Sequence, residues 1–177
     1  MRKLTETSLR RAAEHHVERH PVTEKRLVDV LRRKVLAHTR KTGEPAPADV
    51  ETWIAKIASD LVRTGLVDDR RLAESRTRTL RARGKSTRAV RESLRLKGVS
   101  KELAEDVLAA PGDDGSHRAT EAVDEESAWR LAKRKRLGPY RSPDARAEHR
   151  TKDLAALGRA GFSFAIARRI VDGEPPE

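Results

Sequence analysis

A repeat limits how this chain can fold more than any other feature of its sequence. Leu94, Gly98, Ser100, Leu103, Ala104 and Val107 recur 63 positions further on as Leu157, Gly161, Ser163, Ile166, Ala167 and Ile170. At the same offset Leu9, Val17, Thr23, Leu27 and Leu31 anticipate Leu72, Leu80, Ser86, Val90 and Leu94. The recurring residues are those of capped helices: apolar positions three and four apart, a hydroxyl residue before them, a glycine after. A unit this short cannot bury its apolar stripe alone and must stack on the next. The expected fold is therefore all-α, an extended array of three tandem three-helix repeats. Repeat one spans 1–66 with a linker at 41–49, and repeat two spans 67–110. A flexible connector occupies 111–124, repeat three 125–172, and a frayed tail 173–177.

Composition agrees with small cores. Hydrophobic residues make up 36% of the 177 and aromatics 3%, while charged residues reach 38%, against about 25% in an average domain. The formal charge of +11 and the pI near 10.5 point to phosphate-rich or acidic partners. Cysteine is absent, which excludes disulfides and thiolate metal sites and fits a reducing compartment. No apolar run approaches the length of a membrane span, and residues 1–16 lack the apolar core of a secretory signal. A cytoplasmic protein is expected.

In chain order, Leu4–Glu18 reads as an amphipathic helix closed by His20-Pro21, and Thr23 caps a second helix through Val35. GEPAPAD, within the linker, is an exposed loop. Val50, Trp53, Ile54, Ile57 and Leu61 form the strongest apolar stripe, closed by Gly65. Repeat two then opens on Asp68 and Asp69 and is jointed at Gly84 and Gly98, with Ser86 and Ser100 as caps. Repeat three places Trp129 and Ala132 inward, breaks at Pro139 and Pro143, and ends in helices of about Asp144–Arg159 and from Ser163.

Repeat two is crowded with arginine on one side. Arg70, Arg71, Arg78 and Arg81 share one face of its first helix, opposite Leu72, Ala73 and Leu80. In the next helix Arg88, Arg91 and Arg95 fall at i, i+3 and i+7, opposite Val90 and Leu94. Between Arg70 and Lys97 the acidic side chains are only Glu74 and Glu92. Ordinary solvated helix faces mix both signs, so this one is suited to a polyanion or an acidic protein surface. Arg76 falls near the core side and is expected to snorkel or pair with a carboxylate. A second basic run, RLAKRKRLGPYR, starts at Arg130.

Catalytic signatures are absent: no GxxxxGK[ST], GxSxG, HExxH or CxxC occurs. His16 and His20 are four apart, but no third ligand is evident and a surface role is expected. Asp68 and Asp69 diverge from a helix start, so capping accounts for them better than a two-metal centre. Trp53 and Trp129 lie on apolar stripes and are expected in cores. Tyr140, beside Arg141 in a basic loop, suits either packing or contact with a partner. No enzyme, metal or cofactor is expected.

With these residues in view the chain resembles the RecX family of bacterial regulators of the RecA recombinase. The likeness lies in Gly65–Ser100, with its aspartate pair, Arg/Gly turn and helix ending in Lys-Gly, and in Asp153–Val171. It extends from about Ser8 to Val171. Leu72 departs from the family's usual aromatic, and the linker of repeat one is longer than usual. The resemblance implies three tandem three-helix repeats and a protein that lies in the helical groove of a RecA–single-stranded-DNA filament. There it would restrain ATP hydrolysis, strand exchange and LexA self-cleavage within the SOS response, by occupancy and as a monomer. Arg88, Arg91 and Arg95 are the first expected contacts. Arg78, Arg81, Arg83 and Lys85 come next, followed by Lys133, Arg134, Lys135 and Arg136. The alternative is a free-standing, non-specific DNA- or RNA-binding helical protein with weak, electrostatic affinity for single strands. Sequence-specific readout is disfavoured because the chain has no Asn or Gln.

Overall fold

The computed structural model describes residues 3–109 and 117–176. Among them are nine α-helices in three consecutive triplets and no strand. The first triplet is α1 (Glu6–Arg19), α2 (Glu24–Thr42) and α3 (Val50–Arg63). The second is α4 (Asp69–Ala82), α5 (Thr87–Leu96) and α6 (Lys101–Leu108). The third is α7 (His117–Lys135), α8 (Pro143–Arg159) and α9 (Phe164–Asp172), with a 3-10 turn at Gly138–Tyr140. The helical period of the apolar residues dictates these elements, and side-chain caps set their starts. Thr23 Oγ1 accepts from the Arg26 amide, Ser86 Oγ from Ala89, Ser100 Oγ from Leu103 and Ser163 Oγ from Ile166.

By packing, the described residues form two units. One holds the chain up to Leu72 together with Lys97–Val99; the other holds Ala73–Leu96 and the chain from Ser100 onward. The core of the first unit gathers Leu9, Ala13, Leu27, Leu31, Ile54, Ile57 and Leu61 from α1, α2 and α3, with Trp53 packed partly against it. In the second unit the largest core is Leu131, Leu157, Phe162, Ile166 and Ile170, flanked by Trp129 and Tyr140. Those two rings meet edge to face with centroids 6.3 Å apart, so Tyr140 takes the packing role.

One expectation is corrected. Residues 117–124, read as flexible connector, form the first turns of α7. They lack a long apolar stripe, but Ala119, Glu121 and Ala122 are good helix formers. Arg169 of α9 holds this stretch through Glu121 at 3.1 Å and Glu125 at 2.6 Å. Asp124 accepts from the amide and hydroxyl of Thr87, at 2.6 and 2.7 Å, at the start of α5. The remainder of the expected connector, 111–116, lies outside the described residues.

The 63-residue repeat has a polar counterpart. Thr23 Oγ1 donates to the Lys97 carbonyl at 2.7 Å, and Ser86 Oγ donates to the Ala160 carbonyl at 3.0 Å. Each hydroxyl thus serves twice, as a helix cap and as a clip on a turn more than seventy residues away. Glycine follows the clipped carbonyl both times, and a Cβ on Gly98 or Gly161 would strike the clipping hydroxyl. Ser86 is fully buried. Its replacement by alanine strips a partner from the Ala89 amide and the Ala160 carbonyl together. We expect Ser86→Ala to lower unfolding free energy by about 2 kcal/mol in urea titration.

Candidate functional site

The basic residues of repeat two sit on α4, on α5 and on the turn between them. Arg78, Arg83, Lys85 and Arg88 are exposed and make no ion pair among the described residues. Arg91 and Arg95 are exposed but engaged. Arg91 donates to both carboxylate oxygens of Glu105 in α6, at 2.6 and 3.0 Å, and Arg95 to both of Glu92, at 2.8 and 2.7 Å. These bonds push both guanidinium pKa values up and hold the Glu92 and Glu105 carboxyls below the usual range. The stripe is therefore less one-signed than its sequence. Glu105 lies outside the stretch in which acidic residues are sparse, and it folds back onto it. Water-exposed pairs of this kind hold weakly, so a phosphate can take either arginine from its glutamate.

Arg81 is corrected from the solvent face. It is half-buried, and its terminal amino group donates to the Leu108 carbonyl at 2.9 Å. Burial pushes its pKa down, partly offset by the charge of Asp124. Arg76 also turns inward, to the Ser93 hydroxyl at 2.7 Å and not to a carboxylate. The first turn of α4 settles the aspartate pair. Asp68 Oδ1 caps α4 at the Arg71 amide, 2.8 Å, while Asp69 Oδ1 accepts from the Glu24 amide at the start of α2, 2.9 Å. The two carboxylates serve different helices, and burial raises the pKa of Asp69.

The second basic cluster closes α7. Lys133, Arg134, Lys135 and Arg136 are all exposed, and none makes an ion pair among the described residues. Positive side chains are favoured at a helix C-terminus, where the unpaired carbonyls carry partial negative charge. Arg136 has φ 53°, the one positive φ outside glycine among the described residues. That conformation costs an L residue about 1–2 kcal/mol. It is held by the Leu137 amide, which donates to the Ala132 carbonyl at 2.9 Å as the helix closes.

Sequence reasoning passed over the pairing role of Glu105. The His16 and His20 rings lie with centroids 5.1 Å apart and planes tilted by 50°, and no group of three or more metal-ligating side chains occurs among the described residues. No helix among them is long and apolar enough to cross a membrane.

Residues 68–108 match the RecX second three-helix domain, the segment that carries both arginine stripes. Over 98% of its length the chain is 41% identical to "Regulatory protein RecX" of Myxococcus xanthus, covering 89% of that protein. It is 28% identical over 92% of its length to the protein of the same name from Agrobacterium fabrum, covering 80% of it. Among solved structures, the fold is similar to RecX from Lactobacillus salivarius, with a TM-score of 0.61 at 23% identity over 94% of each chain.

Proposed function

Because this chain belongs to the RecX family, we propose that it regulates a RecA-type recombinase by lying in the helical groove of the recombinase–single-stranded-DNA filament. Bound there, it restrains ATP hydrolysis, strand exchange and LexA self-cleavage by occupancy, with no chemistry of its own. The observation that carries this reading is the pair of exposed cationic clusters, one of Arg78, Arg83, Lys85 and Arg88 and the other of Lys133 to Arg136, whose side chains make no ion pair among the described residues. An unpaired, solvated cation pays little desolvation to meet a phosphate or a carboxylate. Arg91 and Arg95 must first leave their glutamates and contribute less.

The test is single-stranded-DNA-dependent ATP hydrolysis by the cognate recombinase, with this protein titrated below one per recombinase. Binding to the same DNA without recombinase, at matched salt, is the control. Inhibition well below DNA saturation supports action on the filament. Arg83→Glu/Lys85→Glu/Arg88→Glu is expected to raise the half-inhibitory concentration by about tenfold or more. Arg95→Glu, which also abolishes a pair with Glu92, should shift it by much less. Inhibition that appears only once the protein coats the DNA would favour a non-specific nucleic-acid binder, with a steep salt dependence.

A further inference from the structure

One helix of the first unit carries positive charge that neither its core nor the two clusters of the second unit account for. In α2, Leu27, Leu31 and Val35 are buried. On the solvent side Arg26, Arg33 and Arg40 recur every seventh residue, as do Lys34 and Lys41, and all five are exposed. Seven residues make about two helical turns, so these cations stand on one face in tiers about 10.5 Å apart. Ala37, exposed in their midst, adds little bulk.

The face has one sign. The acidic residues of α2 are Glu24 and Asp29, and none follows from Val30 to Thr42. Arg26 lies 3.9 Å from Asp29, and Arg32 donates to Glu51 at 2.7 and 3.0 Å. Arg33, Lys34, Arg40 and Lys41 make no ion pair among the described residues. Arg33 Nε donates to the Asp29 carbonyl at 3.2 Å, a neutral acceptor that orients the guanidinium without cancelling its charge. Burial and His20, followed by Arg33 and His15, push the His16 pKa down, so the positive field of this face reaches α1. Attraction to the negative end of a helix explains Arg40 and Lys41 in the last turn, but not Arg33 and Lys34 in the middle. Like charges so gathered repel one another, and a polyanion lying along them removes that cost.

The kind of polyanion follows from what the face lacks. Single strands are held by cations together with aromatic rings on which the bases stack. Helix α2 contains no Phe, Trp or Tyr. Its 19 residues, about 28 Å of helix, present the charges in a fixed array. Such an array suits a stiff polyanion whose phosphates keep their spacing, as in a DNA duplex. A flexible strand or an acidic peptide would have to be ordered to fit it.

We propose that the exposed face of α2 binds the phosphate backbone of double-stranded DNA through Arg33, Lys34, Arg40 and Lys41, without reading its sequence. The surface lies in a different unit from the clusters assigned to the filament, and it stands whether or not that reading holds.

The experiment measures binding of the full chain to a labelled duplex of about 30 base pairs, by fluorescence anisotropy over a series of salt concentrations. Lys34→Gln/Arg40→Gln/Lys41→Gln keeps good helix formers at exposed positions, and an unchanged urea unfolding curve shows that the fold is intact. This variant is expected to bind the duplex about tenfold or more weakly, and to lower the slope of log affinity against log salt by about 2–3. Arg83→Gln/Lys85→Gln/Arg88→Gln removes the same charge from the second unit and should change duplex affinity by less than about threefold. Equal losses in the two variants would show that net charge alone governs binding, and would overturn the proposal. So would a single strand of the same length binding as tightly as the duplex. Displacement of the duplex by polyglutamate as readily as by unlabelled duplex would identify the face as one for an acidic protein instead.

Discussion

Asp153→Ala is expected to remove about 3–5 kcal/mol of stability, more than any other single change considered, because it leaves a guanidinium facing an emptied, water-poor site. Asp153 is 1% exposed. Its Oδ2 accepts from the Gly138 amide at 2.8 Å and from Arg141 Nε at 2.7 Å, and its Oδ1 accepts from the second Arg141 nitrogen at 2.7 Å. One carboxylate thus ties α8 to the 3-10 turn that returns the chain from the end of α7. Burial alone would push the Asp153 carboxyl up. The bonds from Arg141 and the Gly138 amide, with the charge of Arg141, outweigh it and hold the carboxyl below its ordinary value of 3.8.

A carboxyl whose pKa is depressed on folding stabilises the native state only while it is ionised. The contribution is therefore fully present above the unfolded-state value. It declines as pH falls through 3.8 and is gone once pH is below the depressed native value. Urea titrations of the wild type at pH 7 and under acid should show this loss, and Asp153→Ala should show a flatter acid profile. Asp153→Asn keeps an acceptor for the Gly138 amide and should cost less than alanine, though Arg141 remains uncompensated.

Gly84→Ala is expected to destabilise by about 3 kcal/mol, from two causes acting together. With φ +62°, the residue is in the left-handed region, where a side chain is strained. A methyl group there would also lie 2.8 Å from the Leu131 amide nitrogen and 2.8 Å from the Ser127 carbonyl oxygen, both backbone atoms of α7. No rotamer change can clear backbone atoms, so α7 must withdraw and loosen the Asp124 cap on α5. Gly65 separates the two causes. Its φ is +73°, but nothing lies within 4 Å of its would-be Cβ. Gly65→Ala should therefore cost only the conformational part, about 1 kcal/mol. Equal losses at the two positions, by urea denaturation, would show that the close approach of α7 contributes nothing.

The contrast between those glycines marks where sequence reading ends. Both were legible as helix stops, because a residue that leaves a helix with positive φ is a local matter. Only the fold shows that α7 runs against one of them. The same division runs through the candidate site. Arg78, Arg83, Lys85, Arg88 and the four cations from Lys133 to Arg136 are exposed where helical periodicity and the turn place them. Arg81 belongs to the same periodic face by angle and is nevertheless half-buried, since α6 ends beside it and offers the Leu108 carbonyl.

By itself the sequence determined the all-helical class, the threefold grouping of helices, their caps and the excess of positive charge. Helix period, capping and glycine exits are short-range properties, decided within a few residues by backbone geometry. The tertiary structure alone decided which charges are spent inside the molecule: Glu105 on Arg91, Asp124 on Thr87, Asp69 on α2 and Asp153 on Arg141. Those partners lie from 12 to 45 positions apart in the chain. Their pairing depends on where the next helix comes to rest, and no periodicity along one helix encodes that.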